Sequence, residues 1–128
     1  INLEDFTVTY IPIGSNPRAI VLSPDNTKMY VTMNLSGKVA SWDLSANKAG
    51  KSVKTGEAAR SLAISSDGST MFVVNFKSNT MSKVRTSDMK VLETIKACNE
   101  PIGVTYDAPT GNTWVACYKG QIKIYSNN

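Results

Sequence analysis

The sequence predicts an all-β protein built from three copies of one four-stranded sheet. The first observation is a repeat of about 42 residues: residues 18–33 align with residues 60–75 and again with residues 102–117. The second is that each copy contains short apolar runs of strand length, separated by turn-forming residues. Repeats of this length and strand content are typical of β-propeller blades, so we expect three blades stacked around a common axis.

The first copy shows the order of strands within a blade. Residues 18–22 form a short apolar run that suits the innermost strand, and a turn rich in proline, aspartate and asparagine follows. Residues 29–32 are apolar almost throughout, which predicts a strand buried on both faces. Residues 38–43 alternate polar and apolar side chains, as expected of a half-exposed third strand, and a polar outer strand is predicted at 51–55.

The other two copies follow the same order. Strands of the second copy are predicted at 60–64, 70–75, 80–85 and 90–95, and strands of the third at 102–106, 113–118 and 121–125. The third copy is therefore one strand short of the other two.

Residues 6–11 alternate in character and precede the first inner strand, where the outer strand of a preceding blade belongs. We expect this N-terminal strand to complete a terminal blade. The predicted unit spans 1–128, with blades at 12–55, 56–96 and 97–128 plus the strand at 6–11. Closed propellers have roughly four to eight blades. The chain is therefore expected to be part of a larger propeller or half of a two-chain six-bladed ring, and the strand count favours neither.

Composition excludes several function classes. The sequence contains no histidine, which removes Ser-His-Asp and Cys-His catalysis and most zinc and copper sites. The net charge of +4 is spread along the chain rather than concentrated, so nucleic-acid binding is not expected. No apolar run approaches the roughly 20 residues of a membrane helix. No metal or other cofactor is predicted, and because the sequence begins at Ile1 we expect a processed chain or a fragment.

Cys98 and Cys117 fall on the same face of the same predicted blade. In an exported protein they would form a disulfide, and the alternative is a pair of buried free thiols. A nucleophilic cysteine is disfavoured because no histidine is present to activate it.

The repeats resemble the YVTN-type β-propeller repeats of secreted and surface proteins of bacteria and archaea. The tetrapeptide of that family is matched by the sequence YVT followed by Met33 and Asn34, and by FVVN at 72–75, whereas WVAC at 114–117 departs from it. The WD-repeat proteins are a neighbouring resemblance, since Trp42 precedes Asp43 at the end of a third strand. The resemblance implies a propeller fold and a secreted, periplasmic or cell-surface location. Relatives of this fold include lactonases and quinone-dependent dehydrogenases.

Blade topology places the connections between blades on the same face as the loops between second and third strands. Two repeat-equivalent arginines on this face could ring the channel mouth and bind an anion through bidentate contacts. The alternative is that each arginine donates to neighbouring loop carbonyls and packs over its blade. The candidate binding residues of this face are Arg18, Arg60, Lys38, Lys77, Phe76, Tyr118 and Lys119.

Asp25, Asp67 and Asp107 are expected in equivalent turns on the opposite face, where aspartate accepts backbone N–H bonds. These turns offer too few oxygens for calcium. The aromatic residues of the second strands, Tyr30, Phe72 and Trp114, are expected to pack between blades.

These observations favour a non-catalytic binding or scaffold module that recognises a protein or carbohydrate partner through its loop face. Self-association into a closed ring or larger assembly is also expected, because propellers satisfy their sheet edges by closure. The alternatives are a fragment or subunit of a propeller enzyme of the lactonase or quinone-dependent dehydrogenase type, and a structural surface-layer or filament subunit.

Overall fold

The computed structural model describes residues 1–126. Three antiparallel sheets make up its regular structure. Sheet 1 contains β1 Pro17–Leu22, β2 Lys28–Met33, β3 Lys38–Asp43 and β4 Lys48–Lys54. Sheet 2 contains β5 Ala59–Ile64, β6 Thr70–Asn75, β7 Thr80–Arg85 and β8 Lys90–Lys96. Sheet 3 contains β9 Pro101–Asp107, β10 Asn112–Cys117 and β11 Gln121–Tyr125. Residues 1–126 contain no helix, and hence none that could cross a membrane.

The sheets stack in chain order, as blades of a partial β-propeller. Within each sheet the strands pair with their sequence neighbours, and the inner strands β1, β5 and β9 contact one another in succession. We call the face that a sheet turns toward the preceding sheet its leading face, and the opposite one its trailing face. The predicted all-β blade architecture is therefore confirmed.

Apolar side chains of adjacent sheets form the core. Between sheets 1 and 2, Tyr30 from β2 packs in one cluster with Leu62 and Met71 from sheet 2. Between sheets 2 and 3, Phe72 packs in a second cluster and stacks on Tyr106, with ring centroids 5.9 Å apart. Burial of these rings and of the aliphatic side chains around them stabilises the stack.

The three aromatic residues of the second strands do not share one environment. Tyr30 and Phe72 are each 3% exposed, as predicted for residues between blades, but Trp114 is 39% exposed. The reason is that Trp114 lies on the trailing face of sheet 3, which no further sheet covers within residues 1–126.

The predicted strand at 6–11 is not formed in the single chain, and sheet 3 has three strands. The open edge of β11 belongs to the last sheet of the stack, whereas residues 6–11 precede the first, so the two cannot meet within one copy. Ile11 and Ile13 instead pack against an apolar cluster of sheet 1 that includes Met29, Val31 and Trp42.

One pair of positions recurs in all three repeats with different chemistry. In sheet 3 the pair is Cys98 and Cys117, joined by a disulfide with Cα atoms 6.0 Å apart. In sheet 2 it is Gly56 and Asn75, packed so closely that a Cβ built on the glycine would lie 2.7 Å from Asn75 Cγ. Gly14 is the corresponding residue in sheet 1, where the same construction gives 3.0 Å to the terminal methyl of a methionine. The same two positions therefore lie close together in each repeat, while the contact between them differs.

In sheet 2 the fully buried Asn75 makes hydrogen bonds where sheet 3 has the disulfide. Its Nδ2 donates to Thr80 Oγ1 at 3.0 Å and Ser82 Oγ at 3.1 Å, and its Oδ1 accepts from Thr55 Oγ1 at 2.9 Å. Since buried polar groups are costly unless paired, this network holds the junction between sheets 1 and 2 in one arrangement.

Two aspartates cap repeat-equivalent turns on the face opposite the sheet connections. Asp25 Oδ1 accepts from Ser23 Oγ at 2.6 Å, Thr27 N at 3.0 Å and Thr27 Oγ1 at 2.8 Å. Asp67 makes the same three kinds of bond in sheet 2. Hydrogen bonds from the serine hydroxyl two residues before, and then from the residue two positions after, lower the pKa of each carboxyl from 3.8 to about 2.

Asp107 does not belong to this set, contrary to the prediction. It occupies the repeat position of Ser23 and Ser65, and Pro109 stands where the capping aspartate would be. Its Oδ2 accepts from the Thr110 hydroxyl at 2.5 Å. The turn in sheet 3 is therefore closed without a carboxylate bound to backbone N–H in the manner of Asp25.

We expect acid to destabilise the fold through the two capping aspartates. Because their pKa values are about 2 when folded and near 3.8 when unfolded, the unfolded chain takes up protons first as the pH falls. Their contribution is complete above pH 4 or so and is lost as the pH drops toward 2. Urea unfolding from about pH 5 to pH 2 should show a falling midpoint, with a shallower fall in D25N/D67N. An equal pH dependence in that variant would contradict this assignment.

Candidate binding site on the blade-connecting face

The blade-connecting face carries the links between sheets and the loops between second and third strands. Its backbone is set by three repeat-equivalent residues with left-handed φ, Asn16 at 56°, Ala58 at 56° and Glu100 at 52°. The carbonyl of each accepts a hydrogen bond from the residue that follows the second strand; Phe76 N donates to Ala58 O at 2.9 Å and Tyr118 N to Glu100 O at 3.0 Å. These bonds fix the backbone positions from which the side chains of the loops extend.

Arg60, Phe76 and Tyr118 come together on this face; we call them the aromatic–arginine cluster. The Arg60 guanidinium lies over the Phe76 ring, 4.8 Å from its centroid. The Phe76 and Tyr118 rings meet edge to face across sheets 2 and 3, with centroids 6.4 Å apart and planes at 87°. Tyr118 is 66% exposed, so its outer ring face is open to a partner.

A bulge orients Arg60. The register between β5 and β6 shifts between Ala59 and Ser61, which leaves Arg60 as the extra residue of the strand. Bulges commonly re-aim a side chain. The carbonyl of Arg60 also accepts from Thr32 Oγ1 of sheet 1 at 3.1 Å, which holds the residue from the other side.

The guanidinium of Arg60 has no hydrogen-bond acceptor or carboxylate partner in the part of the chain that the structure describes. By contrast, Arg85 on the opposite face makes a bidentate pair with Asp88, at 3.0 and 2.7 Å, which raises the pKa of the arginine and lowers that of the aspartate. Stacking uses the face of the Arg60 guanidinium and leaves its N–H edge available. The arrangement can therefore bind a carboxylate or another planar anion beside an aromatic surface.

The structure places the other predicted binding residues around this cluster or away from it. Lys119 is exposed and follows Tyr118 directly in the chain. Lys77 lines a groove of about 290 Å³ between sheets 1 and 2, together with Lys54 and Glu57. Lys38 lies opposite Lys54 in the β3–β4 register, so two lysines stand side by side at this end of sheet 1.

Arg18 is not part of the cluster, although it is repeat-equivalent to Arg60. It is exposed on β1 and lines an apolar groove with Ile11 and Ile13 at the leading side of sheet 1. The residue equivalent to Phe76 is Asn34 in this repeat, and its side chain donates to Ala59 O at 3.2 Å. Arg18 therefore has no aromatic ring to stack on. The two repeat-equivalent arginines that the sequence predicted as a pair have different neighbours.

The prediction from sequence placed Glu57 on this face without counting it among the binding residues, and it missed Lys54. Lys54 ends the outer strand of sheet 1, and only the hairpin register places it beside Lys38. Within residues 1–126 no three His, Cys, Asp or Glu side chains converge in a way that could hold a metal ion.

No family model and no curated protein matches the chain. Among solved structures, it is similar to hydrazine synthase of Kuenenia stuttgartiensis, with a TM-score of 0.84 and 21% identity over 98% of this chain and 36% of that chain. The RRP9 WD40 repeats give a TM-score of 0.80 and 14% identity over 88% of this chain and 36% of that one. The dihydro-heme d1 dehydrogenase NirN gives 0.69 and 21% identity over 86% of this chain and 27% of that one.

At these identities the likeness shows the fold alone, which is that of a β-propeller. The chain spans about a third of the length of the first two structures, consistent with a partial propeller.

Proposed function

We propose that this chain is a non-catalytic binding module that recognises an acidic protein segment or acidic carbohydrate through the aromatic–arginine cluster. The observation that carries the proposal is the Arg60 guanidinium, which is stacked on Phe76 at 4.8 Å and has no acceptor among residues 1–126. A preorientated arginine loses less conformational entropy when it binds an anion than a mobile one would.

The surroundings of the cluster suit such a ligand. Tyr118 offers an exposed ring on which an apolar side chain or a sugar ring can rest. Lys77 and Lys119 follow the two aromatic residues in the chain and add positive charge near the rim. Rim charges of this kind mainly accelerate association and make it depend on salt.

An exported location is part of the proposal. The disulfide between Cys98 and Cys117 supports it, because such bonds persist in oxidising compartments. The resemblance to YVTN-type repeats, which we propose as the family of this chain, agrees with a secreted, periplasmic or cell-surface protein.

Removal of the arginine should abolish most of the binding. We expect R60A to weaken affinity about 10-fold or more, since a hydrogen bond to a charged group contributes roughly 1.5–3 kcal/mol. R60K keeps the charge but loses the planar edge, so it should restore only part of the affinity. The measurement is binding to arrays of acidic oligosaccharides and Asp/Glu-rich peptides, followed by calorimetry on the best probe.

One control variant and one further variant of the cluster make this test specific. R85A removes an arginine from the opposite face, where it is paired with Asp88, and should leave binding unchanged. Y118A removes an exposed ring and should weaken binding without altering the circular dichroism spectrum. Binding that is equal in R60A and the unmodified protein, or that prefers neutral probes, would refute the proposal.

A second candidate is a segment of a propeller enzyme. It is favoured by two of the similar structures, which are named as a synthase and a dehydrogenase. If the chain belongs to a longer protein, catalytic groups could be carried by further blades. An assay of such a longer protein with quinones or calcium would distinguish the two candidates, and light scattering would separate both from a surface-layer or filament subunit.

A further inference from the structure

A groove on the blade-connecting face adjoins the aromatic–arginine cluster. It has a volume of about 290 Å³ and is lined by the loop between β2 and β3, the end of β4, the link that follows it, and Lys77. Ala58 lines the groove, and its carbonyl accepts from Phe76 N at 2.9 Å. Arg60 follows Ala58 by two residues. The groove and the cluster therefore form one continuous surface along which an extended ligand can lie.

Backbone hydrogen bonds hold the two walls of the groove in place. Thr55 N donates to Gly37 O at 2.9 Å, which ties the link after β4 to the loop between β2 and β3. On the other side, Glu57 N donates to Ser78 Oγ at 2.7 Å, and Glu57 O accepts from Lys77 N at 3.2 Å. The groove is thus formed before any ligand arrives, which lowers the ordering cost of binding.

The charged side chains that line the groove have no ion-pair partners in the described part of the chain. They are Lys54, Lys77 and Glu57, and all three are exposed. Within residues 1–126 the one ion pair joins Arg85 to Asp88 on the opposite face. Both lysines of the groove are therefore available to an anionic ligand.

One of these lysines stands beside a second lysine. Lys54 lies directly opposite Lys38 in the β3–β4 register, and like charges in that arrangement repel each other. In sheet 2 the equivalent of Lys54 is Lys96, and its partner is Thr80, so the pairing of two lysines is specific to sheet 1 within these two sheets. An anion bound beside Lys54 would relieve the repulsion.

Most carboxylates of the three sheets lie at the end away from the groove. Among residues 17–126, Glu57 and Glu100 are the carboxylates at the blade-connecting end, where lysines and arginines outnumber them. The opposite end carries Asp25, Asp43, Asp67, Asp88 and Asp107. The potential at the blade-connecting face is therefore positive, and it attracts an extended anion toward the groove as well as toward Arg60.

Glu57 favours an acidic carbohydrate over an acidic peptide. The side chains of a peptide rich in Asp and Glu only accept hydrogen bonds, so a carboxylate in the groove would repel them. An acidic polysaccharide has hydroxyl groups between its carboxylates, and these can donate to Glu57 while the carboxylates accept from the lysines. Asn34 and Ser36 also line the groove and offer an amide and a hydroxyl to sugar hydroxyls. The exposed ring of Tyr118 suits the flat face of a sugar.

We propose that the ligand of this face is an acidic polysaccharide that occupies two subsites in succession. The inference rests on the proposed function, in which Arg60 binds one carboxylate of the ligand beside the aromatic rings of the cluster. The groove is the second subsite and binds the sugars that follow. Lys54 and Lys77 bind a second carboxylate there, and Glu57 accepts from a hydroxyl group.

Binding of oligosaccharides of two lengths tests the second subsite. The probes are oligogalacturonates of two and of six sugars, measured by calorimetry at low salt. K54A/K77A should weaken binding of the hexamer about 5–10-fold, since exposed ion pairs contribute a few-fold each, and should leave binding of the dimer unchanged. R60A should weaken binding of both probes. The comparison is made between variants because a longer chain also offers more registers to a single subsite.

A matched control separates the groove from net charge. K48A/K90A removes two exposed lysines from the opposite end and changes the net charge by the same amount. It should leave the affinity for both probes nearly unchanged. K54A/K77A should be no less stable to urea than the unmodified protein, because it removes the repulsion between Lys38 and Lys54.

Glu57 distinguishes the two classes of ligand. We expect the unmodified protein to bind hexagalacturonate more tightly than hexaglutamate, a peptide of equal charge. Glu57→Gln should reduce this preference several-fold, because it weakens the acceptor for sugar hydroxyls and relieves the repulsion of peptide carboxylates. Tighter binding of hexaglutamate by the unmodified protein would assign the face to acidic peptides and overturn the inference.

The second subsite and the proposed function fail in different ways. Equal losses for the dimer and the hexamer in K54A/K77A, or the same loss in K48A/K90A, would overturn the second subsite. The proposed function would still stand if R60A lost binding in that experiment. Binding that R60A does not weaken would instead refute the proposed function, and the two-subsite inference with it.

Discussion

Replacing Phe72 with alanine is expected to cost about 3–5 kcal/mol of unfolding free energy, which is the usual effect of removing a buried aromatic ring. The ring is 3% exposed and stacks on Tyr106 at 5.9 Å between sheets 2 and 3. The substitution therefore removes apolar burial, leaves a cavity and breaks the ring stacking between two blades. Urea unfolding monitored by circular dichroism measures the loss.

Leu92→Ala is the matched control for this substitution. Leu92 lies on β8 in the same sheet but is 46% exposed, so we expect a change below about 1 kcal/mol. Similar losses in the two variants would mean that Phe72 does not hold the sheets together. If F72A lost only part of its circular dichroism strand signal, and the part from sheet 1 remained, the blades would unfold in part independently.

Removing the disulfide should have the next largest effect. The bond joins residues 19 apart in sequence, and closing a loop of that size stabilises a fold by roughly 3 kcal/mol through the unfolded state. The double variant C98A/C117A should therefore unfold at a clearly lower urea concentration than the oxidised protein. Reduction with dithiothreitol should shift the unmodified protein toward the variant and leave the variant itself unchanged.

The double variant loses both the bond and part of two buried side chains. Cys98 is 5% exposed and Cys117 is 6% exposed, so alanine also removes some buried surface. The reduced protein, which retains both thiols, separates the two contributions. Equal stability of the oxidised and reduced forms would contradict the predicted contribution of the disulfide.

The repeat made most of the fold predictable from sequence. Bounds for β3, β6, β7 and β11 agree with the predicted strands, because alternation and turn residues delimit them sharply. The bounds of β4 were less well predicted. Its polar sequence KAGKSVK gives little alternation, and the prediction began three residues late at Lys51.

Prediction failed where the outcome depends on residues that are close in the fold, which the local sequence pattern does not show. Residues 6–11 have the alternation of a strand, but a strand needs an edge to pair with, and the edge of β11 lies at the other end of the stack. Arg18 and Arg60 share a repeat position, but only Arg60 has a phenylalanine one loop away. A lone carboxylate such as Asp107 was grouped with Asp25 because a two-residue offset in the turn is not evident from residue type.

The contact at the recurrent pair of positions differs from sheet to sheet, so the two ends of the stack are not equivalent. Of the three recurrent residue pairs, the last is joined by a disulfide, the middle one depends on the amide of Asn75 and the first on van der Waals contact. A reducing environment therefore acts at a single end. Fraying should start at the C-terminal sheet while the two others hold, so redox conditions would set how many blades remain ordered.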